Sequence, residues 1–243
     1  MPASPASSSE VQRKRMRDSI AQGLDEVRQR MAAACERAGR GAEEVRLVAV
    51  SKTFPAQDIR QAIEAGQECF GESRLQEAQP KLEELSGHLD WHFIGRVQRN
   101  KVRKILPLFP TIHGIDSLKL AQHTDRVAGE LGLKPGVFLQ VNIGREESKG
   151  GFDPDEIESL APTLAGFAHL SILGLMCIPP AGPDPEAARP WFVEMRELKE
   201  KVTPDFASEF THLSMGMSGD YEVAIEEGAT LVRVGSAIFG GRG

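Results

Sequence analysis

The chain has 243 residues, a net charge of −6 and a pI near 5.6. A chain of this length can bury one large core, and its acidic balance argues against a general nucleic-acid-binding protein. Three cysteines without a C-x-x-C pair, and no apolar run of membrane-spanning length, favour a cytoplasmic protein that neither crosses a membrane nor depends on disulfides.

The first residues of the chain are small and polar. Residues 1–17 combine Ser, Ala and Pro with the basic segment Arg13-Lys14-Arg15, and they lack the apolar core of a secretory signal. We expect a short disordered tail over residues 1–17, with a Ser/Arg-rich organelle transit peptide as the alternative. No shift in composition divides residues 18–243, so we expect one domain there.

Helical and strand patterns alternate along that domain. A long helix is predicted over Asp18–Ala38, where apolar residues recur at steps of three or four until Gly39. A second helical pattern covers the basic segment Val97–Leu106. Eight short segments read as strands: Leu47–Val50, Glu68–Gly71, Asp90–Ile94, Thr111–Ile115, Gly136–Val141, Leu170–Ile178, a strand beginning at Thr211, and Leu231–Val234.

This alternation predicts an α/β fold, namely a single (β/α)8 barrel of the TIM type with an extra N-terminal helix. A doubly wound open sheet is the alternative architecture. Barrel sites lie at the carboxyl ends of the strands, so the residues that follow each strand are the candidates for function.

Lys52 comes just after the first strand. The apolar run Leu47–Val50 indicates a strand buried on both faces, which brings the Lys52 ammonium group to the barrel mouth. Apolar surroundings lower the pKa of a lysine, and the neutral amine can form a Schiff base with an aldehyde. A solvated lysine at a strand end is the alternative.

The loops after the last two strands are rich in glycine and serine. They read Ser214-Met215-Gly216-Met217-Ser218 and Gly235-Ser236-Ala237-Ile238-Phe239-Gly240. Glycine at a strand end lets backbone N–H groups approach an anion, and a following helix N-terminus favours negative charge. The two loops together favour a phosphate site, with ordinary turns and helix caps as the alternative.

Arg233 lies between two valines on the last strand and is expected to point into the barrel. A buried arginine needs a partner, either a bound anion or ring nitrogen, or a carboxylate such as Glu72. An amine, a phosphate site and an inward arginine suggest a phosphorylated aldehyde as ligand. Pyridoxal 5′-phosphate (PLP) fits all three features, and the sugar phosphate of a Schiff-base aldolase fits two.

Two other features carry less information. His88 and His92 are four residues apart, but the second lies in a predicted strand, so helical metal spacing is missing and we expect no metal site. The basic stretch from Arg96 to Lys104 lacks interleaved aromatic residues, which is typical of a solvated helix face rather than of a nucleic-acid interface.

The chain resembles the pyridoxal phosphate homeostasis proteins, also called the proline synthetase co-transcribed family. The matching segments run in order from about residue 45 to the end of the chain: Ala49-Val50-Ser51-Lys52, Phe70-Gly71-Glu72, His92-Phe93-Ile94-Gly95 with Gln98, Asn100 and Lys101, Glu147-Ser148-Lys149, Leu213–Ser218, and Val232–Gly240.

The resemblance implies a barrel like the larger domain of alanine racemase, with PLP as cofactor and an internal aldimine on Lys52. It implies phosphate contacts from Ser218, Gly235 and Ser236, and Arg233 facing the pyridine nitrogen. Met217 and Ser73 complete the implied set. The family pattern has asparagine where this chain has Ser73, so a shorter side chain stands at a position expected near the cofactor ring.

The family is regarded as holding and delivering the cofactor without established catalysis. The implied partners are PLP and PLP-dependent apo-enzymes as recipients, and we expect a monomer. A racemase needs a second base, yet the single tyrosine, Tyr221, falls on a predicted outer helix. A Schiff-base enzyme, either racemase-like or a sugar-phosphate aldolase with Glu72 as acid or base, remains the alternative.

Overall fold

The computed structural model describes residues 8–85 and 87–241, with side chains from residue 19 onward. In this part of the chain, the strands are β1 (Arg46–Val50), β2 (Cys69–Glu72), β3 (Asp90–Phe93), β4 (Thr111–Ile115), β5 (Gly136–Val141), β6 (Ser171–Cys177), β7 (His212–Ser214) and β8 (Leu231–Val234). The helices are α1 (Ser8–Arg37), α2 (Ala56–Glu64), α3 (Leu75–Glu84), α4 (Val102–Ile105), α5 (Leu118–Leu131), α6 (Pro154–Ala165), α7 (Arg189–Val202), α8 (Tyr221–Glu226) and α9 (Ser236–Phe239).

Within the described residues, the strands form a closed parallel barrel in chain order. The barrel closes where β1 pairs with β8, in a register that places Leu47 opposite Val232 and Ala49 opposite Val234. The predicted (β/α)8 barrel is therefore confirmed, and the open-sheet alternative is wrong. The observed strand ends lie within one residue of the predicted ends, because buried parallel strands read as nearly continuous apolar runs.

Helix α1 begins at Ser8, ahead of the predicted start at Asp18. Residues 8–17, expected to belong to a disordered tail, are helical; they contain no glycine or proline and several good helix formers. Residues 1–7 lie outside the described part, so the expected disorder of that segment stays a prediction. Further along, α1 packs against α2, α8 and α9 and covers the seam between β8 and β1, as an extra N-terminal helix would.

The predicted helix over Val97–Leu106 is shorter in the structure. Gln98 has extended backbone angles (φ −87°, ψ 134°), and a 3-10 turn over Arg99–Lys101 leads into the four-residue helix α4. The positively charged residues of this segment therefore lie on a loop and two short turns of helix rather than on one long helical face.

Two apolar clusters hold the barrel together. The larger one lies between the barrel wall and the surrounding helices, and the smaller one fills part of the barrel interior with Val48, Cys69, Phe138, Met176 and Leu231. Among the described residues we find no helix whose length and hydropathy would let it span a bilayer.

Candidate functional site

A cavity of about 280 Å³ opens at the carboxyl end of the barrel, and we call it the main pocket. Its walls are Val50, Lys52, Phe54, Ile94, Ile178, Met217, Ser218, Gly219, Arg233, Gly235, Ser236 and Gly240. Six of the seven predicted site residues line this pocket, and Ser73 is the exception. The elements that meet here are the ends of β1, β3, β6, β7 and β8, as expected for a barrel of this type.

Lys52 lies in a tight turn at the end of β1. The Phe54 N–H donates to the Ser51 carbonyl across 3.1 Å, and Thr53 between them has a φ of +71°. A β-branched residue in this left-handed conformation costs about 1–2 kcal/mol, so the surrounding contacts must hold the turn in place. The turn leaves Lys52 half-buried at the wall of the main pocket.

Two contacts support this turn. Phe54 stacks on Phe239 of α9 with ring centroids 5.0 Å apart, which ties the lysine turn to the loop after β8. On the other side, the Thr53 backbone N–H donates to the Glu77 carboxylate of α3. The hydrogen bond from Arg74, and to a smaller extent this one, lower the pKa of the Glu77 carboxyl. The lysine turn is therefore held between α9 and α3.

The loops after β7 and β8 meet on the opposite wall of the pocket. The Gly235 N–H donates to the Ser218 hydroxyl across 3.2 Å, and the first hydrogen bond within α9 runs from Ile238 N–H to the Gly235 carbonyl. The N–H groups of Ser236 and Ala237 precede that bond and belong to the unpaired first turn of a helix. An ideal Cβ on Gly235 would lie 3.2 Å from the Val50 carbonyl oxygen, so glycine permits this close approach.

Arg233 is 5% exposed, and its guanidinium group forms part of the pocket floor. Its two side-chain hydrogen bonds go to neutral oxygens, the Ser214 hydroxyl at 2.5 Å and the Cys177 carbonyl at 2.8 Å. Burial lowers the pKa of this guanidinium, which nevertheless stays charged because arginine does not lose its proton in proteins. The Asp220 carboxyl is close enough to act on this charge without accepting a hydrogen bond from it in the described part of the chain, so the remaining N–H groups of Arg233 favour an acceptor atom in the pocket.

Glu72 does not pair with Arg233, although the sequence left that pairing open. The Glu72 carboxylate is fully buried and accepts hydrogen bonds from the Ser51 hydroxyl and the Lys81 ammonium group, both at 2.7 Å. It does not line the main pocket. Its place in the fold is thus between β2 and α3, where it anchors Ser51 next to the lysine turn.

Ser73 lies in a second cavity of about 250 Å³, which we call the side cavity. This cavity is lined by Ser73, Arg74, Leu75, Gln76, Phe93, Arg96, Gln98, Lys101 and Ile105. The chain at Ser73 passes so close to Gly95 that a Cβ there would lie 2.1 Å from the Ser73 carbonyl oxygen. The structure thus does not bring Ser73 to the main pocket, and its contact with a cofactor stays a prediction.

Three polar residues below the pocket, His92, His113 and Ser214, are joined by hydrogen bonds, and the sequence analysis did not predict this. His113 Nδ1 lies 2.8 Å from the Ser214 hydroxyl, and His113 Nε2 lies 2.8 Å from His92 Nδ1. The available signal was the two-residue spacing of polar side chains on β3 and β4, since residues two apart in a strand share a face.

Comparisons with known proteins find relatives that match this chain over most of its length. A family model described as alanine racemase, N-terminal domain, matches residues 23–243. A pyridoxal phosphate homeostasis protein of Aquifex aeolicus is 42% identical over 220 residues, covering 90% of this chain and 96% of the relative. The protein of the same name in Escherichia coli is 41% identical over 235 residues, covering 92% and 97%.

A solved structure of PipY from Synechococcus elongatus, with PLP bound, is 38% identical and has a TM-score of 0.80. It covers 91% of this chain, and the whole of PipY is matched. The chain therefore belongs to the alanine racemase N-terminal domain family and, within it, to the pyridoxal phosphate homeostasis proteins.

Proposed function

We propose that this protein holds PLP in the main pocket through a Schiff base with Lys52 and releases it to PLP-dependent apo-enzymes. The observation that carries the proposal is one pocket that joins the Lys52 amine, the buried Arg233 guanidinium and the glycine–serine loop at Gly235. We further propose that it does so as a monomer in the cytoplasm, with one folded domain from residue 18 to 243.

The pocket residues suit each part of the cofactor. The Lys52 amine can condense with the aldehyde and release one water molecule. The Ser236 N–H and the Ser218 hydroxyl, which the Gly235 N–H holds in place, suit the phosphate, and the Arg233 N–H groups suit the ring nitrogen. Apolar side chains such as Val50 and Ile94 offer walls for a flat ring.

Several features favour a carrier over an enzyme. Tyr221, the single tyrosine of the chain, is 1% exposed on α8 and stacks beneath the Arg30 guanidinium of α1 at 5.4 Å, away from the pocket. Glu72 is also absent from the pocket wall, so neither of the two candidates for a second acid or base lines the pocket that contains Lys52. An open mouth bordered by Ile178, which is 39% exposed, suits exchange of a ligand.

An absorption spectrum with chemical trapping tests cofactor binding. The protein loaded with PLP should show the visible band of a Schiff base, and borohydride should abolish that band. Peptide mass mapping of the reduced protein should place the adduct on Lys52. An adduct on Lys101 or Lys149, or no adduct at all, would contradict the proposed site.

A transfer assay tests the carrier role. The loaded protein should restore the activity of a stripped PLP-dependent enzyme, and incubation with L- or D-alanine should give no racemisation or transamination above free PLP. Turnover of an amino acid that disappears in Lys52→Ala would show an enzyme instead.

A further inference from the structure

A continuous row of hydrogen bonds runs through the barrel interior beneath the main pocket. It starts at Arg233, whose N–H donates to the Ser214 hydroxyl, and passes from Ser214 to His113 and from His113 to His92. It ends where His92 Nε2 lies 2.9 Å from the Asp90 carboxylate. Asp90 also forms an ion pair of 2.8 Å with Arg46 at the opposite end of the barrel.

The row is sealed from solvent over most of its length. Ser214 and His113 are fully buried, and His92 is 2% exposed. Ring contacts hold the imidazoles, because His113 packs in tilted orientations against Phe138, at a centroid distance of 4.5 Å, and against His92, at 5.0 Å. Strand β3 carries His92, β4 carries His113 and β7 carries Ser214, so three strands position the row.

The hydrogens in this row can be assigned from its two ends. A guanidinium group only donates and a carboxylate only accepts. With both imidazoles neutral, one arrangement gives every contact a single hydrogen: Ser214 O–H donates to His113 Nδ1, His113 Nε2–H donates to His92 Nδ1, and His92 Nε2–H donates to Asp90. Every other arrangement of two neutral rings either makes the Ser214 hydroxyl accept from both neighbours or puts two hydrogens into the contact between His113 Nε2 and His92 Nδ1.

The surroundings of His113 favour its neutral form. Burial, with the neighbouring His92 and Arg233 side chains as smaller causes, lowers the pKa of His113 well below its usual value. Cys69 of β2 lies beside Asp90 and His92, and burial raises the pKa of its thiol to about 12, so it stays uncharged. The charged groups near the row are therefore Asp90 with Arg46 at one end, and Arg233 with the nearby Asp220 carboxyl at the other.

We infer that Ser214, His113 and His92 are positioning residues for the cofactor site: together they orient the Arg233 guanidinium so that its remaining N–H groups face the main pocket. This inference rests on the proposed function. The Ser214 hydroxyl accepts from Arg233 and donates its own hydrogen to His113 when His113 Nδ1 carries no hydrogen. The contacts with His92 and Asp90 favour that tautomer of His113. His92 and Asp90 on β3 thus determine which atom donates and which accepts in the hydrogen bonds at Arg233, three strands away around the barrel.

The inference is tested by three variants and the PLP titration of stripped protein. His113→Leu removes the acceptor for Ser214, and we expect PLP binding to weaken about fivefold to tenfold, with a shift of the Schiff-base absorption maximum. His113→Asn offers an amide oxygen near the position of Nδ1, and we expect it to return affinity to within about twofold of wild type. His212→Leu is the matched control, because His212 is a partly buried histidine that contacts Thr230 instead of the row.

A second measurement does not depend on the variants folding. Two-bond 1H–15N correlation spectra of the labelled wild-type protein, at slightly alkaline pH, report which nitrogen of each histidine carries the hydrogen. We expect the hydrogen on Nε2 in both His92 and His113. A hydrogen on Nδ1 of His113, or a PLP affinity and spectrum of His113→Leu equal to those of His212→Leu, would overturn the inference.

The two proposals fail in different ways. If wild-type protein forms no Schiff base with PLP, the proposed function is wrong, and the titration of the variants loses its meaning while the tautomer spectra still test the row. If wild-type protein binds PLP but the three variants bind it equally, the function stands and the positioning role is wrong.

Discussion

The main pocket and the side cavity are neighbours of similar volume at the same end of the barrel, yet they present positive charge in opposite ways. The main pocket holds one buried guanidinium, Arg233, beside glycine-rich loops. The side cavity gathers three cationic side chains, Arg74, Arg96 and Lys101. Of these, Arg74 is paired with Glu77, and the Arg96 side chain is 83% exposed.

This difference teaches that the number of cations is a poor guide to an anion site. Exposed charges are screened by water and salt and contribute little to binding, whereas a desolvated charge with fixed backbone N–H groups acts at close range. A side-cavity variant that lowers PLP affinity as much as the corresponding main-pocket variant would contradict this difference between the two cavities.

The largest effect is expected for the lysines. Lys52→Ala should abolish the covalent adduct, because no other amine lines the main pocket among the described residues. Lys101→Ala in the side cavity should leave the adduct unchanged. Borohydride reduction followed by intact mass measurement checks both, and an adduct of normal yield on Lys52→Ala would reverse the assignment of the two cavities.

The next effect concerns the loop after β8, which we propose holds the phosphate. Gly235→Val should weaken PLP binding about a hundredfold or more, since even a single Cβ at this position lies 3.2 Å from Val50 and a branched side chain would enter the pocket. Ser236→Ala should weaken it only about twofold to threefold, because the backbone N–H survives. Titration of the stripped proteins measures both, and equal losses would contradict binding by the backbone.

A smaller effect is expected when the buried and exposed cations are removed in turn. Arg233→Met should weaken PLP binding about tenfold to a hundredfold, the usual range for losing a hydrogen bond from a charged donor. Arg96→Met should change the affinity less than about twofold. Raising the salt concentration should not abolish this contrast; a comparable loss in both variants would mean that the side cavity also attracts the cofactor.

The buried imidazole of His113, beneath the main pocket, predicts a pH effect on stability. Burial lowers the pKa of His113 in the folded state. Below about pH 6.5, this histidine therefore binds a proton in the unfolded chain but not in the folded chain. The free energy of unfolding should therefore fall with decreasing pH, by up to about 1.4 kcal/mol per pH unit from this residue. Urea unfolding of His113→Asn should show a slope smaller by that amount, and parallel curves would argue against a buried neutral His113.

The smallest effect is expected at Ser73. Because Ser73 lines the side cavity, Ser73→Asn, which introduces the asparagine of the family pattern, should change PLP affinity by less than about twofold. Titration of the stripped variant measures it. A tenfold gain in PLP affinity would mean that this position contacts the cofactor, which would contradict its assignment to the side cavity.

Much of this arrangement could be predicted from the sequence, for a specific reason. Strands such as Gly136–Val141 are buried on both faces and read as apolar runs, and barrel topology then sends the residues that follow them to one rim. Lys52 and Gly235 were found in this way. The early start of α1 was missed because Ser8–Asp18 lacks the apolar spacing that predicts a packed helix.

The contact between His92 and His113 was out of reach for another reason. Spacing within a strand tells which residues share a face, but contacts across strands depend on the stagger of the barrel. His92 is opposite Thr111 in the register of β3 and β4, so His113 lies one inward-facing step further along. That offset is a property of the closed barrel and cannot be read from either strand alone.

The packing of α1 has a consequence for the order in which the protein is made. Gly23 allows α1 to approach α9 so closely that a Cβ would lie 2.8 Å from the Ala237 carbonyl oxygen, and Arg30 pairs with Glu222 of α8, 192 positions later. During synthesis α1 therefore leaves the ribosome first, and α8 and α9, against which it packs, follow only when nearly the whole chain has been made. The loop after β8, which we propose holds the phosphate, and the packing of α1 against α9 are completed in the same late step, so a truncated chain should be unable to take up cofactor.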